Sequence, residues 1–157
     1  MMRERRVLVA LGGNAILRHK ESGTKEEQFE NVQETAEHLL PLIRSGCRIA
    51  ITHGNGPQVG DILLKNELAK HVLPPMPLDV CGAESQGMIG YMIQNSLTNV
   101  LSSAGIHVPT VTLLTQVLVD SRDPAFQNPS KPIGPYYTAM EAVKLRSEKG
   151  WTVMQDS

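Results

Sequence analysis

The sequence lacks the features that mark several classes of protein. Its two cysteines, Cys47 and Cys81, form no CxxC pair, and its five histidines show no metal-ligand spacing, so neither a disulfide framework nor a zinc site is predicted. Fifteen Lys and Arg nearly balance sixteen Asp and Glu, which predicts no basic surface for nucleic acid. No targeting or membrane segment is apparent, because the first apolar run stops at Gly12 and Gly13. We therefore expect a cytoplasmic protein with two free thiols that binds neither nucleic acid nor membrane.

The composition is that of an ordinary globular protein. Of the 157 residues, 41% are hydrophobic and 20% are charged, which excludes a disordered tail. A chain of this length and composition predicts one modest domain.

The first fifty residues predict a strand, a helix and a second strand. Residues 7–11 are a continuous apolar run, typical of a strand buried on both faces of a parallel sheet. Thr24 and Glu27 have the spacing of a capping box, and apolar residues at helical spacing follow as far as Gly46. Residues 48–52 are β-branched and apolar at alternate positions, which predicts the second strand.

The remaining pattern continues the alternation of helices and strands. Pro57 suits the first turn of a helix, and a longer apolar stripe over residues 88–104 predicts another helix that ends at Gly105. Residues 108–119 predict a third strand, and four prolines after Asp120 predict an excursion away from the sheet. Strands and helices in this order indicate an α/β fold with a parallel sheet and helices on both faces.

Two glycine-rich corners follow the first two predicted strands, at residues 12–14 and 54–56. Ligands of parallel sheets bind at the carboxyl ends of the strands, where glycine lets backbone N–H groups approach an anion. Either corner alone is more simply interpreted as a tight turn. The two together favour an anion-binding site.

Two further patterns leave alternatives open. Residues 54–60 nearly match a dinucleotide fingerprint, but Gly60 is one position late, so a nicotinamide-dependent oxidoreductase is a weaker hypothesis. There is no GxxxxGK[ST] motif for a P-loop. Lys131 lies between prolines that stiffen its loop, although a single loop lysine is more often solvated surface.

Five segments carry a more specific resemblance. They are ALGGNA at 10–15, HGNGPQVG at 53–60, AESQGMIGY at 83–91, TQV at 115–117 and NPSKPIG at 128–134. Together, and in this order, they resemble the carbamate kinases of the amino acid kinase superfamily. Other members of the superfamily commonly have a lysine just before the first glycines, where this chain has Val9, Ala10 and Leu11. That difference argues against an acetylglutamate or aspartate kinase.

The resemblance implies a fold, an activity and a set of site residues. The fold would be an open αβα sandwich with a mainly parallel sheet, truncated in this chain. The reaction would be reversible phosphoryl transfer between ATP and carbamate, giving carbamoyl phosphate and ADP, with Mg²⁺ accompanying the nucleotide and a role in arginine metabolism. Lys131 would be the catalytic residue, and the substrate and phosphate would be bound by Gly12, Gly13, Asn14, Gly54 and Asn55.

The resemblance also implies how the chain is organised. Carbamate kinases are about twice as long, so residues 1–120 would form the carbamate-binding domain and residues 121–157 the start of a small protruding subdomain. The ATP-binding half would be absent, and this amino-terminal fragment would be inactive alone. The family implies a homodimer through this half, for which the stripe around residues 88–93 is a candidate surface, although core packing is the alternative. A non-catalytic remnant or a binding and dimerisation module is the competing hypothesis.

Overall fold

The computed structural model describes residues 5–18, 20–134 and 137–155. This part of the chain contains two strands, four helices and two short 3₁₀ turns. In chain order the strands and helices are β1 (Arg6–Leu11), α1 (Lys25–Arg44), β2 (Arg48–His53), α2 (Gly56–Ala69), α3 (Leu78–Ser103) and α4 (Ala139–Lys149). The 3₁₀ turns are Gly13–Ala15 and Pro124–Phe126.

Strands β1 and β2 form a parallel ladder that runs from Arg6 beside Arg48 to Leu11 beside His53. Side chains alternate between half-buried and exposed along both strands, and Leu8 is 69% exposed. The prediction that the first strand is buried on both faces is therefore wrong for this chain. Successive side chains of a strand point to opposite faces, and the described helices cover one face of the sheet, where Ile51 contacts the core.

Helix α1 begins and ends where the sequence predicts. The Thr24 hydroxyl accepts a hydrogen bond from the Glu27 backbone N–H, and the Glu27 carboxylate accepts one from Thr24 N–H at 2.9 Å, which confirms the capping box. That hydrogen bond from the Thr24 backbone lowers the pKa of the Glu27 carboxyl group. The chain leaves the helix at Gly46, whose φ of +81° favours glycine.

Helix α3 is longer than the apolar stripe that predicted it. It starts directly after Pro77 and ends shortly before Gly105, which has a φ of +70°. Its inner face contributes to three core clusters. Ile89 and Met92 pack with Ile16 and Val32, Leu97 and Leu101 pack with Ala36, and Cys81 packs with Val59 and Ile62. Met88 and Ile93 pack against the first cluster. The stripe is thus core, as the alternative to a dimer surface predicted.

The predicted third strand at residues 108–119 is wrong. In the described structure the only ladder joins β1 to β2, and residues 108–119 are an extended segment beside α3. β-branched residues favour an extended backbone, but a strand also requires a neighbour for its N–H and C=O groups. Large apolar side chains in this segment remain exposed, including Val111, Leu113, Val117 and Leu118.

Three threonines attach this extended segment to α3. The hydroxyl of Thr110 lies 2.8 Å from that of Thr98. The Thr112 hydroxyl donates to Gly90 O at 3.0 Å, and a Cβ on Gly90 would lie only 2.2 Å from Thr112 Cγ2. Thr115 N–H donates to Gln86 Oε1 at 2.9 Å. The segment therefore runs antiparallel to α3 and is positioned by side chains.

The region after Asp120 contains a helix that the sequence analysis missed. Helix α4 begins with a second capping box, formed by Thr138 and Glu141, and has no buried residue. The spacing of Thr138 and Glu141 was a usable signal, but it lies behind a proline-rich stretch and precedes no clear apolar stripe.

Cys47 and Cys81 are both free. Within the described ranges, no helix is long and apolar enough to cross a membrane.

Candidate functional site

The two glycine corners lie side by side at the carboxyl edge of the sheet. Leu11 and His53 are paired at the end of the ladder, and Gly54 N–H donates to Leu11 O at 3.3 Å. This geometry confirms the prediction that the corners at residues 12–14 and 54–56 are adjacent. It is the position at which parallel sheets bind ligands.

The glycines of these corners are not required by internal packing. Gly12, Gly13, Gly54 and Gly56 all avoid positive φ, and a Cβ on any of them would meet no described atom within 4 Å. Gly12 is extended, with φ −74° and ψ 172°, a conformation open to any residue. The described packing and backbone conformation therefore do not require glycine at these positions, and the space beside their backbones is open to the close approach of a ligand.

Each of the two corners contains an asparagine, Asn14 in the first and Asn55 in the second. The side chain of Asn14 lies outside the described part of the structure. Asn55 is the residue before α2, and its Nδ2 lies 2.7 Å from the hydroxyl of Ser85 on α3. Ser85 is fully buried and in turn donates to Gly82 O at 2.7 Å. The side chain of Asn55 is thus tied to the long helix.

Buried amides form a second connection near the corners. Gln28 Nε2 donates to Gly23 O at 2.8 Å, and Gln58 Nε2 donates to Gln28 Oε1 at 3.4 Å, which joins α1 to α2. Asn31 Nδ2 donates to Ile16 O in the chain that follows the first corner. These residues and Ser85 were not predicted as site residues, although polar residues at inward helical positions were a signal.

The loop that carries Lys131 packs against α2. A Cβ on Gly60 would lie 2.1 Å from Gly134 Cα, so only glycine permits this approach. Burial raises the pKa of Tyr137, and the nearby carboxylate of Asp61 contributes to the shift. These contacts bring the loop to the helix that starts at the second corner, while Lys131 itself is exposed. They also assign Gly60 to packing, which weakens the dinucleotide hypothesis.

The candidate site is an open edge of the sheet. A depression of about 460 Å³ between α1 and α3 is lined by residues such as Phe29, Leu40 and Asn95 and includes none of the predicted site residues. Across the described residues, no group of three or more His, Cys, Asp or Glu could hold a metal ion. The arrangement offers backbone N–H groups and side-chain amides.

Comparisons with known proteins agree with this geometry. No family model matches the chain. A carbamate kinase of Thermococcus kodakarensis is 52% identical over 156 residues, which are 98% of this chain and 50% of the relative. The chain is homologous to half of a carbamate kinase. It spans about half the length of the curated relatives it matches, which is consistent with their amino-terminal half.

Solved structures support the same relationship. A carbamate kinase from Giardia lamblia bound to citric acid superimposes with a TM-score of 0.90 and 46% identity, covering 94% of this chain and 47% of the other. The Giardia lamblia enzyme bound to AMP-PNP gives a TM-score of 0.81 and 43% identity, covering 100% of this chain and 50% of the other. The carbamate kinase resemblance and the α/β fold with an open parallel sheet are thereby confirmed.

Proposed function

We propose that this chain supplies the acceptor-binding half of a carbamate kinase. The complete protein transfers a phosphoryl group reversibly between ATP and carbamate, giving carbamoyl phosphate and ADP. One observation carries the proposal: two adjacent glycine corners leave open space at the carboxyl edge of the sheet. They do so in a chain that is 52% identical to a carbamate kinase.

The proposed roles follow from the charge that must be stabilised. Phosphoryl transfer passes through a loose transition state, so catalysis consists mainly of positioning and charge neutralisation. Backbone N–H groups of Gly12 and Gly13 and the side chain of Asn14 bind the substrate and phosphate oxygens. Gly54 and Asn55 complete the site from the second corner, where the Gly54 N–H itself donates to Leu11 O. Lys131 brings a positive charge to the transferring group.

The nucleotide belongs to the half that this chain does not match. A relative of known structure binds AMP-PNP, which supports ATP and ADP as the nucleotides of the complete protein. Mg²⁺ accompanies the phosphates of the nucleotide in this proposal. The described residues include no group of three or more His, Cys, Asp or Glu that could hold a metal ion by themselves, so no residue of this chain is assigned to it.

The wider assignments are also part of the proposal. Residues 1–120 form the carbamate-binding domain, and residues 121–157 begin a small subdomain. The protein acts in the cytoplasm in arginine metabolism, which suits the free thiols of Cys47 and Cys81. It forms a homodimer through this half, by a surface other than the buried stripe at residues 88–93.

A fusion protein tests the proposed activity. The chain is joined in frame to the other half of the Thermococcus kodakarensis relative, and ATP formation from carbamoyl phosphate and ADP is measured. We expect activity in the fusion and none in the 157-residue chain alone, because the nucleotide half is missing. A folded fusion without activity favours a non-catalytic binding or dimerisation module, and activity of the chain alone contradicts the division into two halves.

A further inference from the structure

A short hydrogen-bond chain determines how Asn55 faces the candidate site. The Ser85 hydroxyl has one proton, which it donates to Gly82 O at 2.7 Å in the preceding turn of α3. Ser85 Oγ therefore meets the Asn55 amide only as an acceptor, at a distance of 2.7 Å. Ser85 is 0% exposed, so this arrangement is shielded from exchange with solvent.

Because the Ser85 proton is donated to Gly82 O, the orientation of the Asn55 amide is determined. An acceptor oxygen needs a donor, so the amide nitrogen faces Ser85 and the amide oxygen faces away from it. Among the residues whose side chains are described, none donates to Asn55 Oδ1. Asn55 lies directly after Gly54, whose N–H contacts the end of β1. The corner thus presents a hydrogen-bond acceptor.

We propose that Ser85 is a positioning residue that holds Asn55 Oδ1 ready to accept a hydrogen bond from the amino group of the substrate. The inference rests on the proposed function. Carbamate, bicarbonate and acetate all offer two carboxylate oxygens, and they differ in the third substituent: an amino group, a hydroxyl group or a methyl group. A fixed oxygen acceptor favours the amino group of carbamate, and equally the hydroxyl group of bicarbonate, over the methyl group of acetate, which has no proton to donate. An amide free to rotate also presents N–H groups to other acceptors.

Two stable phosphonates test this selectivity in the chain as it exists. Phosphonoacetamide and acetonylphosphonate share the phosphonate and the carbonyl group, and they differ only in an amino group replaced by methyl. Their dissociation constants are measured by calorimetry for the 157-residue chain. We expect phosphonoacetamide to bind about five- to tenfold more tightly, the scale of one neutral hydrogen bond.

The variant Ser85→Ala removes the constraint on Asn55 without touching the ligand. We expect the preference for phosphonoacetamide to fall to about twofold or less, while the affinity for acetonylphosphonate stays within about twofold. Ser96→Ala is the matched control, since Ser96 is a second buried serine on α3 and lies three turns further along the helix. A purely structural role for Ser85 predicts equal weakening of both probes, which would overturn the inference.

A measurement on the unmodified chain tests the inference even if the Ser85→Ala variant does not fold. One side-chain amide proton of Asn55 should exchange slowly in ¹⁵N NMR spectra, because it is bound to buried Ser85. Phosphonoacetamide should shift the Asn55 side-chain resonances more than acetonylphosphonate does. Equal shifts, or two rapidly exchanging protons, would overturn this inference without contradicting the proposed function. If neither probe nor inorganic phosphate binds, the proposed acceptor site fails and the inference fails with it.

Discussion

The glycines of this molecule differ in how closely other atoms pack against them. Gly60 and Gly90 are sites of close packing, because a Cβ on either would collide with Gly134 or Thr112 at 2.1 and 2.2 Å. At Gly12, by contrast, a Cβ would touch no described atom, and the backbone conformation suits any residue. The first kind of glycine is required by the packing of the chain, whereas the second is not required by any described contact.

This difference predicts opposite effects of two glycine substitutions. Gly12→Ala should leave the free energy of unfolding within about 0.5 kcal/mol and weaken phosphonoacetamide binding at least about tenfold, because the methyl group occupies ligand space. Gly60→Ala should release the loop from α2, seen as faster hydrogen exchange in residues 128–134. A loss of stability in Gly12→Ala, or unchanged exchange in Gly60→Ala, contradicts the corresponding assignment.

Lys131 is the proposed catalytic residue, and its role can be tested only in a protein that has the nucleotide-binding half. In the active fusion, Lys131→Ala should lower kcat by roughly two to three powers of ten and change nucleotide affinity little, because a positioned charge acts on the transition state. Lys131→Arg should rescue poorly, since the planar guanidinium places its charge differently on a stiff loop. Steady-state kinetics decide this, and a kcat within about twofold of the parent identifies a solvated surface lysine.

Helices α1 and α4 begin with the same capping motif but differ in packing. Each has a threonine and a glutamate that exchange hydrogen bonds, and in each the threonine backbone N–H lowers the pKa of the glutamate. The stabilisation from these carboxylates is therefore full above their ordinary pKa and is lost as the pH falls through the lowered value. Only α1 buries residues in the core.

Removing the two caps should therefore have unequal consequences. Thr24→Ala should lower the free energy of unfolding by about 1 kcal/mol, because α1 unfolds with the core. Thr138→Ala should leave global unfolding nearly unchanged and increase hydrogen exchange within α4, because α4 can unfold locally. Urea denaturation and exchange measurements on both variants test this, and equal losses of global stability would show that α4 is part of the core.

The molecule as a whole exposes apolar surface on one side of its sheet and along the extended segment. Leu8 is 69% exposed, Val111 is 77% exposed and Leu118 is 100% exposed. Apolar residues gathered on an unpaired extended segment and an open sheet face normally contact another surface. The chain spans only half the length of its relatives, whose other half is the natural candidate for that surface.

This surface predicts the solution behaviour of the chain. The 157-residue chain should bind the dye ANS and associate with increasing concentration in sedimentation experiments, because exposed apolar area favours burial. The fusion with the other half should bind much less dye per molecule, and Leu8→Ser should reduce dye binding by the chain. A dye-free monomer at high concentration would mean that the exposed residues do not form a continuous apolar surface.

Much of the local structure could be predicted from the sequence because its causes are local. The capping box at Thr24, the end of α1 near Gly46 and the start of α2 at Gly56, beside Pro57, depend on residues a few positions apart. The adjacency of the two glycine corners followed from a general rule of parallel sheets. The motifs that revealed the relationship to carbamate kinases also lie within short segments.

Which segments and residues contact one another depends on the tertiary structure and could not be predicted from these local patterns. Residues 108–119 have the composition of a strand, but hydrogen bonds to residues 12 to 29 positions earlier on α3 determine their course. Gly60 owes its importance to Gly134, and Asn55 owes its orientation to Ser85. Hydrophobic pattern and propensity describe what a segment prefers, whereas burial and hydrogen bonding depend on distant residues that come close only when the chain folds.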